Sequence, residues 1–235
     1  MSFSRTPLRW LCLSLSLSGW VLPAGAETNA VITGTATNDI TLKYRAEQGE
    51  AAAQNNLGVC YQAGEGVQKD LAEAAKWFRR AAEQGDAKAQ LNLGACYLTG
   101  TGVQADKAAA ANWFRSAADQ GDAKAQFNLG VCYRKGDGVT VDRQLAAFWF
   151  RKAAEQDLPA AQFNLGVCFV NGTGVQEDPA EAYKWFRLAG KSGDVQALAA
   201  CAELSKALTP PQIAEAQERA QKWREEFARL HPSRR

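Results

Sequence analysis

Beyond about residue 50, apolar positions recur with a helical period, and the whole pattern then recurs as a block. Between Ala123 and Gln156, Ala125, Leu129 and Cys132 fall at i, i+4 and i+7, which is one apolar stripe of a helix. The spacing predicts a first helix, A, over about residues 123–135. Gly136-Asp137-Gly138 then breaks it, because glycine enters the left-handed backbone that a helix C-terminus needs. Val139 is placed to plug the loop onto the core. Asp142 is the expected N-cap of a second helix, B, its carboxylate accepting from backbone N–H groups that lack a partner. Trp149 and Phe150 give helix B its bulk.

The block repeats every 36 residues: Leu57-Gly58 returns as Leu93-Gly94, Leu129-Gly130 and Leu165-Gly166. Asp70, Asp106, Asp142 and Asp178 keep the same step, as do Trp77, Trp113, Trp149 and Trp185. Pro179 after Asp178 fits the first position of a helix. A glycine inside helix A costs about 1 kcal/mol relative to alanine. Its return at four equivalent positions points to close packing of helix B against it. One such helix pair cannot bury its apolar faces alone, whereas stacked pairs can. The expected fold is therefore all-α, an α-solenoid of antiparallel helix pairs. Its repeats run 50–85, 86–121, 122–157 and 158–194. Residues 39–49 match the second half of a unit and read as an N-terminal capping half-repeat. Residues 195–231 read as a C-terminal capping helix pair, the second helix restarting at Thr209-Pro210-Pro211 and ending near Leu230. Asp157-Leu158-Pro159 replaces the Gly-Asp of the other junctions and predicts a changed inter-repeat angle, since a side chain is less comfortable there than glycine.

The first 26 residues read as a cleavable secretory signal: Arg5 and Arg9, an apolar run from Trp10 to Leu22, then Ala24-Gly25-Ala26. Export to the periplasm or beyond is the expectation, followed by a leader over 27–38. The apolar run is shorter than a membrane span of about 20 residues, and no later segment is apolar enough to be one. Removing Arg5 and Arg9 from the 27 basic residues leaves 25 against 25 acidic. A chain near neutrality has no general pull toward nucleic acid or anionic membranes.

The sequence is poor in chemistry, and neither a catalytic residue nor a cofactor is expected. The single histidine, His231, lies beside Pro232 and reads as an exposed tail residue, so no His-based metal site or Ser-His-Asp set can be assembled. The Gly-x-Gly loops follow helices rather than strands and lack the third glycine of a dinucleotide fingerprint, so they read as turns. Cys60, Cys96, Cys132 and Cys168 occupy equivalent positions. Stacked equivalents lie about 8–10 Å apart, too far for shared metal coordination or a disulfide. Buried free thiols are the expectation.

Asn56, Asn92, Asn128 and Asn164 also recur at the 36-residue step, at the edge of the apolar stripe. Their own stripes (Lys88, Asn92, Ala95, Thr99; Lys124, Asn128, Val131, Lys135) mix polar and apolar residues, as an accessible face does. Two readings stand: a hydrogen bond between helices of the scaffold, or amides that line a concave surface and hold a peptide main chain. The second expects open side chains, with Asn55, Leu91, Phe127 and Phe163 beside them setting preference.

The motif A-Q-x-N-L-G-x-C-Y/F-x-x-G-x-G-V, then Asp, then W-F-R, then A-A-E/D-Q-G-D, resembles that of the Sel1-like repeat family, a branch of the tetratricopeptide superfamily. The resemblance covers residues 50–194. It implies a right-handed superhelix of helix pairs and a role in binding a protein or peptide partner, often in exported proteins. A secreted, cysteine-rich subfamily is implied to join the two helices of each repeat by a disulfide. Some of its members are implied to bind or slowly hydrolyse penicillin-type compounds, the alternative activity. This chain carries its repeated cysteine on helix A only and lacks the helix B partner.

Overall fold

The computed structural model describes residues 36–232. The signal and most of the leader (residues 1–35) and the end of the tail (residues 233–235) lie outside them. Among the described residues there are eleven helices and no strand: α1 (Ala36–Glu47), α2 (Ala51–Ala63), α3 (Leu71–Glu83), α4 (Ala87–Thr99), α5 (Lys107–Asp119), α6 (Ala123–Lys135), α7 (Arg143–Ala154), α8 (Pro159–Asn171), α9 (Pro179–Lys191), α10 (Val195–Ala207) and α11 (Pro210–Leu230). Helix pairs follow one another in tandem, which makes the chain an α-solenoid. Two compact units meet at residues 141 and 142. In the first, α1 to α5 each pack on the next helix in sequence. In the second, α7, α8 and α9 do the same, and α11 returns to lie on α9.

The helix boundaries follow from local chemistry. Asp70, Asp106, Asp142 and Asp178 cap α3, α5, α7 and α9, each accepting from two backbone N–H groups. Gly64, Gly100, Gly136 and Gly172 close α2, α4, α6 and α8 in the left-handed conformation. At α11, Gln212 Oε1 accepts from the Thr209 N–H and hydroxyl, each at 2.9 Å.

Two sets of glycines hold backbones together. A Cβ built on Gly58, Gly94 or Gly166 would lie 2.7 Å from the ring of Phe78, Phe114 or Phe186. The helix A glycine is thus the seat of the helix B phenylalanine, and all three rings are fully buried. The second glycine of three of the loops does more than turn. A Cβ on Gly102 would lie 1.9 Å from the Leu71 carbonyl oxygen, one on Gly138 2.0 Å from that of Lys107, and one on Gly174 1.9 Å from that of Arg143. Each loop therefore sits on the first turn of the preceding helix B, and only a residue without a side chain fits.

Asp157 keeps the turn of the glycines it replaces. Its φ is +64°, beside +93° and +95° at Gly85 and Gly121. Its N–H donates to Ala154 O at 3.0 Å, as Gly85 does to Ala82 O. Its carboxylate accepts from Gln162 Nε2 at 2.9 Å, a bond that offsets the strain of its backbone.

Candidate binding surface

Helix A was expected to bury a narrow stripe and leave the asparagine edge open. Instead α4 is buried from Ala89 to Cys96, α6 from Ala125 to Cys132, and α8 from Ala161 to Val170. Asn56 is exposed, but Asn92 is 9% exposed, Asn128 0% and Asn164 1%. The openness expected for these three is corrected. The residues expected beside them as selectors, Asn55, Leu91, Phe127 and Phe163, are buried as well, at 6%, 5%, 0% and 1% exposed. The cause lies in the stack: a helix between neighbouring pairs is covered over a wider arc than a helix packed on one partner. The buried amides are satisfied within the scaffold. Asn92 Nδ2 donates to Asn55 Oδ1 of the preceding repeat at 2.8 Å, and Asn164 Nδ2 donates to Ala160 O at 2.8 Å. The ends of two of these stripes remain accessible, with Lys88, Thr99 and Lys135 exposed and Lys124 half-buried.

A second amide set carries the stack. Gln54, Gln90, Gln126 and Gln162 are all buried, and each Nε2 reaches back to the end of the preceding helix B. The acceptors are the carbonyls of Ala46, Ala82, Ala118 and Ala154. The half-repeat α1 is engaged by the same bond as the full units. The 36-residue recurrence of Ala-Gln was the available signal; it reads as polar surface until the neighbouring helix is in place. Gln84 and Gln120 then complete the set, donating to Gln54 Oε1 at 2.7 Å and to Gln90 Oε1 at 2.8 Å. The equivalent position in the last repeat is Ser192, and Gln162 Oε1 is buried without a partner. Ser192→Gln is expected to supply that donor and to raise unfolding stability by about 1 kcal/mol. Urea denaturation checks it, and an unchanged midpoint would contradict the bond pattern.

The cysteines bear the expected character. Cys60, Cys96, Cys132 and Cys168 are buried thiols outside any disulfide, and Cys201 is a partly buried one. No disulfide joins helix A to helix B in these repeats. Burial pushes the Cys96 thiol up to about 11, Cys132 to about 12 and Cys201 to about 11. The thiolate is the nucleophile, so these groups are unreactive near neutral pH. Labelling at pH 8 without reductant is expected to be slow on the folded protein and to count these five cysteines after denaturation. Rapid native labelling of Cys132 would contradict the burial. Among the described residues no group of three or more His, Cys, Asp or Glu is placed to hold a metal ion, and no helix is long and apolar enough to cross a membrane. His231 is not a free tail residue: its ring stacks on Phe227 at 4.4 Å, and Nδ1 lies 3.1 Å from the Phe227 carbonyl oxygen.

The outer surface carries pairs that join neighbouring repeats. Arg79 donates to the Tyr97 hydroxyl at 2.6 Å and Arg115 to that of Tyr133 at 2.5 Å. In the second unit Arg151 lies over the Phe169 ring at 5.4 Å. Arg79 and Tyr97 border a shallow polar cleft with Val103, Gln104 and Asp106.

Residues 51–86, 87–122, 123–158 and 159–194 each match the Sel1 repeat, and the chain belongs to the Sel1 repeat family. It is similar, at 38% identity and a TM-score of 0.76, to the crystal structure of a protective antigen of uropathogenic Escherichia coli strains displaying an SLR fold. It is also similar, at 36% identity and a TM-score of 0.67, to a Sel1 repeat protein from Oxalobacter formigenes. The matches cover 84% and 72% of this chain but 42% and 49% of those chains, so this chain spans less than half of their length. No curated protein matches.

Proposed function

We propose that the protein is an exported scaffold that binds a protein or peptide partner and is not an enzyme. The observation that carries this reading is the division of labour within the repeat. The recurring residues (Leu-Gly, the phenylalanine seated on it, and the amides) are spent on holding the stack, so recognition falls to the exposed residues that differ from repeat to repeat. We take these to be Asn56 and the exposed stripe ends Lys88, Thr99 and Lys135, in place of the buried amides between them, and expect them on the concave side. Family membership supports a role in protein contacts, and the antigen among the structural neighbours supports export. The test is affinity capture from the native envelope with the full chain as bait, followed by cross-linking. A specific polypeptide cross-linked through Lys88 and Lys135 is expected. A bait that retains nothing beyond an unrelated solenoid would overturn the reading, as would turnover of nitrocefin by the pure protein. For export, the intact mass is expected to place the mature N-terminus at Glu27; a soluble pool retaining Met1 would contradict it.

A further inference from the structure

The last helix is tied to the fold differently from the others. In a full repeat, helix B sits on the helix A beside it, its phenylalanine seated on a glycine. On α10 the position equivalent to Gly166 is Ala202 and that of Phe163 is Ala199, and both are exposed. Val195 and Leu198 on the same helix are exposed as well. So α11 takes no such seat on α10, its neighbour in sequence, and packs on α9 instead. There Arg219 Nη1 lies 3.4 Å from Glu181 Oε2, and the Trp223 and Trp185 rings meet edge-on with centres 6.0 Å apart. Of the 21 residues of α11, Ala216 and Ala220 alone are buried. The connection from α10 is Leu208 and Thr209, both extended, with ψ 146° and 155°. Pro210 keeps Thr209 extended, and Pro210 and Pro211 fix their own φ. The link is short and stiff.

We propose that two copies of this chain exchange α11, each helix docking on α9 of the other copy. The surface is the face of α9 that α11 covers, and the occupant is the same helix from a second chain. The exchange keeps the contacts on α9, with Arg219 meeting Glu181 and Trp223 meeting Trp185 across the pair. It gives up no seat on α10, because α11 has none there. An inner helix B such as α5 could not be exchanged alone in this way, since Phe114 would leave Gly94. The balance between closure and exchange therefore falls to the connection, and a short, stiff hinge is the kind that favours exchange. The light burial of α11 keeps the opening step small. Each copy gives and receives one helix, so the assembly closes at two copies. The proposal rests on α9, α10 and α11 and is independent of what the scaffold binds.

Two charge-reversed chains, E181R and R219E, test it. Each alone sets like charges against each other at the α9–α11 contact. In an exchanged pair of one E181R chain and one R219E chain, one junction is native and the other carries the reversed ion pair, so both are matched. The full chains are refolded from urea at high concentration, alone and mixed, with reductant present so that no dimer rests on a cysteine bridge. Native mass spectrometry then counts the species. Wild-type dimers are expected, with heterodimers from the mixture in excess over random pairing. Circular dichroism follows the fold of each variant, and a variant that folds only in the mixture, as heterodimer, is also the expected behaviour. A flexible glycine-serine linker inserted between Leu208 and Thr209 is expected to return the wild type to monomers, because it lets α11 close on its own chain. Monomers alone from the wild type and from the mixture overturn the proposal. So do dimers that pair at random, that persist with the linker in place, or that form without residues 209–235.

Discussion

Gly102→Ala is expected to be among the most damaging single methyls in the protein, with Gly138→Ala and Gly174→Ala. The added carbon would lie 1.9 Å from the Leu71 carbonyl oxygen and 2.5 Å from its carbonyl carbon. That oxygen belongs to the first turn of α3, so relief requires the loop of one repeat to lift off the helix of the one before it. Overpacking of this kind costs about 1–3 kcal/mol. Gly102 also has φ +72°, which adds about 1 kcal/mol for a residue with a side chain. The expected loss is therefore about 3 kcal/mol, or roughly 6–12 °C in Tm for a chain of this size. Gly121→Ala separates the two terms. Gly121 has φ +95°, but a Cβ there meets nothing within 4 Å, so only the backbone term of about 1 kcal/mol applies. Calorimetry on both variants checks the difference, and equal losses would show that the loop does not bear on the helix. Gly94→Val is expected to fail for a neighbouring reason, through its 2.7 Å approach to the Phe114 ring.

The double variant N92A/N128A is expected to lose about 2–4 kcal/mol of stability. Asn128 is fully buried, and Asn92 supplies the donor to the buried Asn55 Oδ1. Truncating Asn92 leaves that oxygen without its donor and out of water, which costs about 1–3 kcal/mol. Asn128→Ala adds loss of a buried side chain in the next repeat. The two sites lie one repeat apart, and their effects should be close to additive. Equilibrium denaturation of the single and double variants measures this. A double variant as stable as the wild type would return the amides to the accessible groove for which their spacing first suggested them.

That outcome bears on what a sequence can disclose. The helices, their caps and the Leu-Gly contact were legible because each rests on residues close together in the chain: Asp142 with the N–H groups two and three residues on, or Gly136 at the end of α6. The seating of helix B on Gly94 was legible because a costly glycine inside a helix demands a reason. The burial of Asn92, Asn128 and Asn164 was not legible. A wheel drawn for one helix shows which residues could face out, but the stack decides how much of that arc a neighbouring repeat covers. For the same reason the role of the glutamines was not legible until α1, α3, α5 and α7 were placed beside them. The second loop glycine read only as a turn, because its contact at Leu71 lies 31 residues back in the chain.

The dissociation constant of the captured partner, measured on the wild type, N92A/N128A and K88E/K135E below the melting temperature of each, tests the central claim most directly. If buried recurring residues hold the stack and exposed stripe ends recognise the partner, N92A/N128A binds as tightly as the wild type despite its lost stability. K88E/K135E then binds about tenfold more weakly at unchanged Tm. The reverse, with affinity lost in N92A/N128A at unchanged Tm and kept in K88E/K135E, would contradict the account.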